Sequence, residues 1–216
     1  MMKRVIMPIQ QARFGYMVLV NDEHGLHGVS GSFLELEELG ESSDGKKVLL
    51  EREAAAALNK LMERIDGWKY IVPVSGYRSF AEQQRIWDDT IVESGLEYTR
   101  KYVAVPGHSE HQTGLAIDLG IKKDNIDFIC PDFPYEGICQ TFRELAADYG
   151  FIERYPEGKE NITHIGHEPW HFRYVGVENA KGIARKNITL EEYVEWVRST
   201  TGKEEGYGTE AQKRRA

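Results

Sequence analysis

The sequence is poor in cysteine, has no long apolar run and lacks an excess of positive charge, and each of these absences excludes a class of protein. Cys130 and Cys139 are the only cysteines among 216 residues, which excludes a disulfide-rich scaffold and predicts two reduced, buried thiols. No stretch approaches the ~20 consecutive apolar residues that a membrane-spanning helix needs. The formal net charge of −8 argues against nucleic acid or anionic lipid as a partner.

The beginning of the chain carries no sign of export. Its short basic opening, MMKRVIMP, leads into no apolar run of the length that a signal peptide requires, so we expect a cytoplasmic protein that inserts into no membrane. A hydrophobic content of 41% suffices for the core of one domain. We expect a leader or edge strand over residues 1–15, one domain over 16–200, and a flexible tail over 201–216, where apolar residues are too few to be buried.

Hydrophobic periodicity predicts an α+β fold. Alternating apolar residues indicate strands over 16–20, 70–74, 114–119, 151–155 and 170–175, and helical spacing indicates helices over 49–65, 80–93, 137–149 and 190–198. Residues 95–106 and 121–137 are expected to be connections, and the second of these is long enough to rim a functional site. Because the strands are short and two-faced, we expect a single domain with a mostly antiparallel sheet flanked by helices and a cleft on one face.

Two short segments, GHSEHQTGLAIDLG (107–120) and HEPWHFRYV (167–175), contain four of the seven histidines. Imidazole and carboxylate are the ligands that suit zinc in a hydrolytic site. Such a site takes three protein ligands, leaves one position for water, and has a carboxylate nearby to accept the proton of that water. The two segments together supply every one of these groups.

The second segment allows two interpretations. HEPWH fits the H-E-x-x-H pattern, in which two ligands lie one helical turn apart with the glutamate as base. Pro169 and the alternating aromatic residues that follow it favour a strand instead. In a strand, Trp170, Phe172 and Tyr174 share the core face and His171 points into the cleft, where Glu168 would serve as the base beside it.

The first segment supplies the other candidate ligands. His111 and Asp118 have opposite parity along a strand, so a straight strand could not direct both at one ion, and Gly114 is expected to bend the chain between them. His108 competes with His111 for the ligand role and is otherwise expected to support the site or lie at the surface.

A third segment, SGYRSFAEQ (75–83), places an arginine near a helix start. Ser79 and Glu82 form a capping box that begins a helix at Phe80. Arg78 therefore lies in the loop before a helix N-terminus, where anions are favoured. Its planar guanidinium can hold a carboxylate or an oxyanion with two parallel hydrogen bonds, and Gln83 could reach the same cleft.

The three segments resemble the signatures of the zinc D,D-peptidases of the VanX/VanY type, and in particular the bifunctional VanXY D,D-dipeptidase/D,D-carboxypeptidases of vancomycin resistance. The motifs SEHQTGLAID, EPWHFRY and SGYRSFAEQ keep the family's order, and the similarity spans roughly residues 16–198. We find no departure from the family's pattern at a functional position.

The resemblance implies a D-Ala-D-Ala peptidase (hedgehog-like) fold and the hydrolysis of the D-Ala-D-Ala peptide bond, in the dipeptide or at the C-terminus of a peptidoglycan precursor. One Zn²⁺ per chain would be held by His111, Asp118 and His171. Glu168 would act as the catalytic base, and Arg78, Gln83 and Ser109 would contact the substrate. The residues do not decide whether Arg78 serves the oxyanion or the substrate carboxylate.

Two other functions are compatible with the same motifs. An exported cell-wall D,D-carboxypeptidase or endopeptidase of the superfamily would need a signal for export, which the sequence does not display. A non-catalytic zinc-dependent peptide-binding domain would keep the fold, but such a domain has no use for a base such as Glu168 beside the metal ligands.

Overall fold

The computed structural model describes residues 3–8, 15–26, 29–42 and 45–200, and the strands of these ranges form two antiparallel sheets. The first sheet consists of β1 (Lys3–Pro8), β2 (Val29–Glu41) and β3 (Lys47–Glu51), in that order. The second contains β4 (Ile71–Ser75), β5 (Ala116–Ile121), β6 (Phe151–Tyr155) and β7 (Glu168–Tyr174), arranged as β4-β5-β7-β6. The predicted α+β class with antiparallel pairing is confirmed.

Helices flank the sheets. They are α1 (Arg52–Arg64), α2 (Phe80–Tyr102), α3 (Gly137–Ala146), the single turn α4 (Glu160–Thr163), α5 (Val177–Lys186) and α6 over residues 190–200. The capping box predicted at the start of α2 is present, since the Ser79 hydroxyl accepts from the Glu82 amide and the Glu82 carboxylate accepts from the Ser79 amide. None of the helices within the described ranges has the length and apolarity to cross a bilayer.

The core lies against one face of the second sheet and confirms the strand interpretation of β7. Trp170, Phe172 and Tyr174 all belong to the main hydrophobic cluster. The ring of Phe172 is fully buried, and its centre lies 4.8 Å from the centre of the Phe142 ring on α3. Burying a side chain of this size contributes roughly 1.5–3 kcal/mol, so the aromatic face fixes which way β7 turns and directs His171 to the opposite face.

The prediction of a strand over residues 16–20 is wrong. Gly15–Met17 form a short 3-10 turn, and the residues after it are irregular. Val18 and Val20 are nevertheless buried, so the alternation of apolar residues reports burial rather than strand pairing. The backbone is satisfied differently here, because the carbonyls of Tyr16 and Val18 accept hydrogen bonds from Arg173.

Several further bounds differ from the prediction. The helix expected from residue 49 begins at Arg52, because Lys47–Glu51 form β3. Helix α2 continues to Tyr102 and bends at Gly95, whose φ of 82° interrupts the helical geometry, so much of the expected connection over 95–106 is helical. Helix α5 was not predicted. Pro73 behaves as expected for a proline in a strand, because β4 is an edge strand and its register shifts between Pro73 and Ser75.

The predicted domain bounds remain predictions. Strand β1 pairs with β2, which ties part of the expected leader to the first sheet, whereas the expected tail over 201–216 lies outside the described residues. Cys130 and Cys139 are free thiols as expected, although Cys130 is only partly buried.

Candidate active site

The register of the second sheet brings the first two candidate ligands together. Asp118 on β5 lies directly opposite His171 on β7, and side chains of directly opposed residues share one face of a sheet. The His171 Nδ1 atom is 2.9 Å from Asp118 Oδ1. The pairing of β5 with β7 thus brings together two residues that are more than fifty positions apart in the sequence.

His111 reaches the same point from the turn before β5. It lies in the 3-10 turn Glu110–Thr113, and Gly114 adopts a φ of 72° that directs the chain into β5. A side chain at Gly114 would also approach Leu34 and Leu36 at 3.0 and 3.1 Å. The predicted bend at Gly114 is thus present, and it lets His111 Nε2 come within 3.1 Å of Asp118 Oδ2.

The three side chains form a donor set that fits a metal ion. His111, Asp118 and His171 are buried, and their ligand atoms lie within 4.8 Å of one another. His111 Nδ1 donates to the Gly76 carbonyl at 2.8 Å, which leaves Nε2 with its lone pair towards the centre. Such outer hydrogen bonds fix the tautomer of metal-binding histidines. Gly76 can lie this close only without a side chain, since a Cβ would be 2.2 Å from the Leu49 carbonyl oxygen.

The electrostatics of the set favour a cation at its centre. Burial and the charge of Arg78 lower the pKa of His111 to about 4, so this ring is neutral and able to act as a ligand. For His171, burial alone would lower the pKa, but hydrogen bonds to Asp118 and Glu110 raise it to about 9. The carboxylates around His171 therefore stabilise positive charge, and a divalent cation competes with the proton for that position.

Glu168 lies beside this set. It is the first residue of β7, it is buried, and its Oε2 is 3.7 Å from His171 Nδ1. Burial raises its pKa to about 8, and a general base works best when its pKa is near the working pH. Pro169 follows it and interrupts the alternation, which explains how Glu168 and His171 reach one cleft from the same strand.

Arg78 is held rigidly at the edge of the set. Its Nε donates to the Ser75 hydroxyl at 2.7 Å, its Nη2 donates to Asp118 Oδ2 at 2.9 Å, and its Nη1 donates to Gln83 Oε1 at 3.3 Å. Its guanidinium carbon also lies 5.4 Å from the ring centre of Phe128. A guanidinium fixed on several sides loses little further freedom when it binds an anion.

The other two candidate substrate contacts are placed differently. Ser109 is buried and lines the same cleft as the metal set, Glu168 and Arg78. Gln83 is fully buried, and its amide nitrogen donates to the Ala104 carbonyl while its oxygen accepts from Arg78. This arrangement makes Gln83 a support for Arg78. The connection over 121–137 rims the cleft as expected, through Phe128 and Ile129.

His108 and His167, which belong to the same two segments, have other partners. His108 Nδ1 pairs with the Asn21 carbonyl at 2.8 Å, and His167 Nε2 pairs with the Tyr135 hydroxyl at 2.7 Å. The helical H-E-x-x-H interpretation is therefore wrong, because Glu168–Tyr174 form a strand, and His167 just before it has other partners than His171.

A buried charge network behind His171 escaped the sequence analysis. Glu110 Oε1 accepts from Arg154 at 2.8 Å and from Arg173 at 2.6 Å, and its Oε2 lies 3.5 Å from His171 Nε2. Burial alone would raise the pKa of Glu110, but the two arginines lower it far below its usual value. Glu191 neutralises the remaining charge on Arg154. A signal was present, since an arginine next to the apolar residues of the strand FIERY needs a partner if it is buried.

Replacing Glu110 with glutamine is expected to weaken metal binding. The carboxylate that faces His171 Nε2 would be lost, and changes in the partners of ligating histidines typically cost 10–100-fold in metal affinity. Glu191→Gln is the matched control, because Glu191 also bonds to Arg154 but is not among the residues that line the cleft. Both variants should unfold more easily, and competition with a chelator should show weaker metal binding for Glu110→Gln alone; equal affinities in the two variants would contradict this role.

The comparisons with known proteins lead in the same direction. The family model described as VanY, D-alanyl-D-alanine carboxypeptidase, matches residues 47–177. The bifunctional D-Ala-D-Ala dipeptidase and D-Ala-D-Ala carboxypeptidase VanXYC of Enterococcus gallinarum is 46% identical over 154 residues, which are 71% of this chain and 81% of that protein.

Two solved structures extend the likeness to three dimensions. The vancomycin-resistance D,D-dipeptidase VanXYg, in complex with a D-Ala-D-Ala phosphinate analogue, has a TM-score of 0.80 at 46% identity, over 92% of this chain and 78% of that one. The vancomycin-resistance D,D-pentapeptidase VanY from a VanB-type cassette, in complex with Zn(II), has a TM-score of 0.65 at 31% identity, over 83% of this chain and 98% of that one.

Fold and cleft together define a metallopeptidase. The matched residues then identify its family: the chain belongs to the VanY family of D-alanyl-D-alanine carboxypeptidases. The family, the enzyme class and the fold predicted from the motifs are confirmed.

Proposed function

We propose that this protein is a zinc-dependent peptidase that hydrolyses the bond between two D-alanine residues, in the free dipeptide, at the C-terminus of a peptidoglycan precursor, or in both. The observation that carries the proposal is the buried set of His111, Asp118 and His171 with Glu168 only 3.7 Å from His171. VanXYC, which is named for both activities, and a zinc-containing VanY support the choice of substrate and metal.

In this proposal His111 Nε2, His171 Nδ1 and a carboxylate oxygen of Asp118 hold one zinc ion. Bound there, the ion would lower the pKa of a water ligand towards ~7 and polarise the scissile carbonyl. Glu168 accepts the proton of the attacking water at its carboxylate and later gives it to the leaving amine. The enclosed position of Glu168 keeps bulk water away from that proton.

Arg78 binds negative charge on the substrate. Its guanidinium is anchored by Ser75, Asp118 and Gln83, so it presents its free N–H groups in a fixed direction. If those groups meet the oxyanion, removing one such donor typically costs about 3–4 kcal/mol of transition-state stabilisation. The hydroxyl of Ser109 donates a hydrogen bond to the substrate carboxylate or to the substrate backbone. Gln83 positions Arg78, in addition to any direct contact that it makes with the substrate.

The proposed setting of the enzyme is the cytoplasm, where peptidoglycan precursors carry accessible D-Ala-D-Ala termini. Residues 16–200 would form the catalytic domain. Removal of these termini would be the contribution of the protein to vancomycin resistance, in the manner of the relatives that are named for it.

A side-by-side rate measurement tests the proposal. Zinc-loaded protein should release D-alanine from D-Ala-D-Ala, from a pentapeptide that ends in D-Ala-D-Ala, or from both, and should leave L-Ala-L-Ala intact. The ratio of the two rates assigns dipeptidase or carboxypeptidase preference. A loaded sample that binds these peptides without cleaving either would contradict the proposal in favour of a binding domain.

A further inference from the structure

A second and larger cavity adjoins the metal cleft. It measures about 480 Å³, which lies within the range of small-ligand sites, whereas the cleft over the metal set measures about 30 Å³. Four residues line both spaces: Val103, Ala104, Tyr155 and Ile165. The two spaces are therefore neighbours, and the larger one lies next to the place where the reacting bond of a substrate would be.

The bend in α2 shapes this cavity. Because Gly95 interrupts the helix, Trp87 from its first half and Arg100 from its second half line the same space. Val105 and Ile165 add apolar wall. Trp87 offers a flat surface on which an extended peptide can pack, so the walls suit a chain rather than an ion alone.

The charged side chains that line the cavity differ in whether they have a partner. Asp22 is paired with His164, whose Nδ1 lies 2.7 Å from a carboxylate oxygen. That hydrogen bond raises the pKa of His164, and it occupies the Asp22 carboxylate. Arg100 is exposed and has no hydrogen-bond or ion-pair partner within the described part of the chain. The lining therefore presents the guanidinium of Arg100 without a partner among the described residues, in a protein whose net charge is −8.

The direction of the substrate follows from the reaction. A peptidase that cuts the bond before the last residue has only one residue on the carboxyl side of that bond, so the extended part of any longer substrate lies on the amino side. An acidic protein repels an anionic substrate, and a local cation is needed to attract it.

We propose that the larger cavity binds the part of a peptide substrate on the amino side of the scissile bond, and that Arg100 binds a carboxylate carried by that part. The inference rests on the proposed function and deepens it. It predicts that this protein prefers longer substrates with a free carboxylate one or two residues before D-Ala-D-Ala over the same substrates with an amide.

Four synthetic peptides test the inference with the zinc-loaded full chain. Two acetylated tetrapeptides carry glutamate either one or two residues before D-Ala-D-Ala, with alanine at the other place, and two matched peptides carry glutamine instead. At one of the two places, kcat/KM for the glutamate peptide should exceed that for the glutamine peptide about fivefold, which is the size of a partly exposed ion pair. Equal values at both places would overturn the inference.

Variants assign the preference to one side chain. Arg100→Gln should bring the ratio of the two kcat/KM values to about one, and Arg100→Lys should keep part of the preference. Arg85→Gln is the matched control: Arg85 is an exposed arginine on the same helix that is not among the residues lining either space, and the preference should persist in it. A preference that survives in Arg100→Gln would overturn the role of Arg100.

The dipeptide D-Ala-D-Ala separates failure of the inference from failure of the proposed function. If the dipeptide or all four peptides are cleaved without a preference for glutamate, the role of the larger cavity is overturned and the proposed function stands. If none of the five compounds is cleaved, the proposed function fails, and the inference fails with it.

Discussion

Glu168→Gln is expected to abolish turnover while the protein keeps its fold and its metal. The substitution preserves the volume of the side chain but removes a carboxylate that lies beside the metal set, at 3.7 Å from His171 Nδ1. Loss of a general base typically costs 10²–10⁴-fold in rate, so we expect at least a hundredfold lower kcat on D-Ala-D-Ala. The measurement is a rate assay at saturating substrate, with zinc content determined on the same sample.

Stability gives an independent readout for this variant. Burial raises the pKa of Glu168 to about 8, so the folded state holds the proton more tightly than the unfolded state does. Ionisation of Glu168 therefore opposes folding, and its contribution to stability falls as the pH rises from its unfolded pKa of ~4.3 towards 8. In metal-free protein at pH 8, Glu168→Gln should not be less stable than the parent in urea.

Glu157→Gln is the control, because Glu157 is an exposed carboxylate in the turn after β6. This variant should turn over substrate at the parent rate. Turnover by Glu168→Gln above a hundredth of the parent rate, or loss of its zinc, would contradict the assignment of Glu168 as the base.

His111→Ala is expected to lose the metal itself. One of three ligands disappears, and the Gly76 carbonyl loses the ring that it orients. Zinc added at a hundred times its dissociation constant stabilises a folded protein by about 2.7 kcal/mol, so the parent should unfold at a higher temperature with zinc than with a chelator. His111→Ala should show no such difference and should be inactive.

His108→Ala provides the comparison for this prediction. It removes the other histidine of the same motif, which pairs with the Asn21 carbonyl, and it should keep one zinc per chain. Thermal unfolding with and without zinc, together with metal analysis, checks both variants. Zinc stabilisation that persists in His111→Ala and disappears in His108→Ala would reverse the choice of ligand.

Several parts of the site could be predicted because local patterns determine them. The alternation of Trp170, Phe172 and Tyr174 requires a buried face, and this placed His171 in the cleft. The capping box of Ser79 and Glu82 located the start of α2 and therefore the loop that carries Arg78. In both places short-range chemistry and tertiary packing favour the same conformation.

Other parts depend on contacts between distant residues and were not predicted. Residues 16–20 alternate like a strand, but they supply carbonyls to Arg173 instead of pairing with a neighbouring strand. The link from Glu110 to Arg154 spans 44 positions, and no local pattern identifies such a partner. The hydrogen bond from the Gln83 amide to the Ala104 carbonyl spans 21 positions, and the substrate contact expected of Gln83 stays a prediction.

We propose that one zinc ion binds between His111, Asp118 and His171 with Glu168 beside it. The most direct measurement is anomalous diffraction at the zinc absorption edge from crystals of the zinc-loaded protein. We predict one strong peak per chain at ~2.0–2.2 Å from His111 Nε2, His171 Nδ1 and an Asp118 oxygen. A peak elsewhere, or no peak between these three side chains, would contradict the claim.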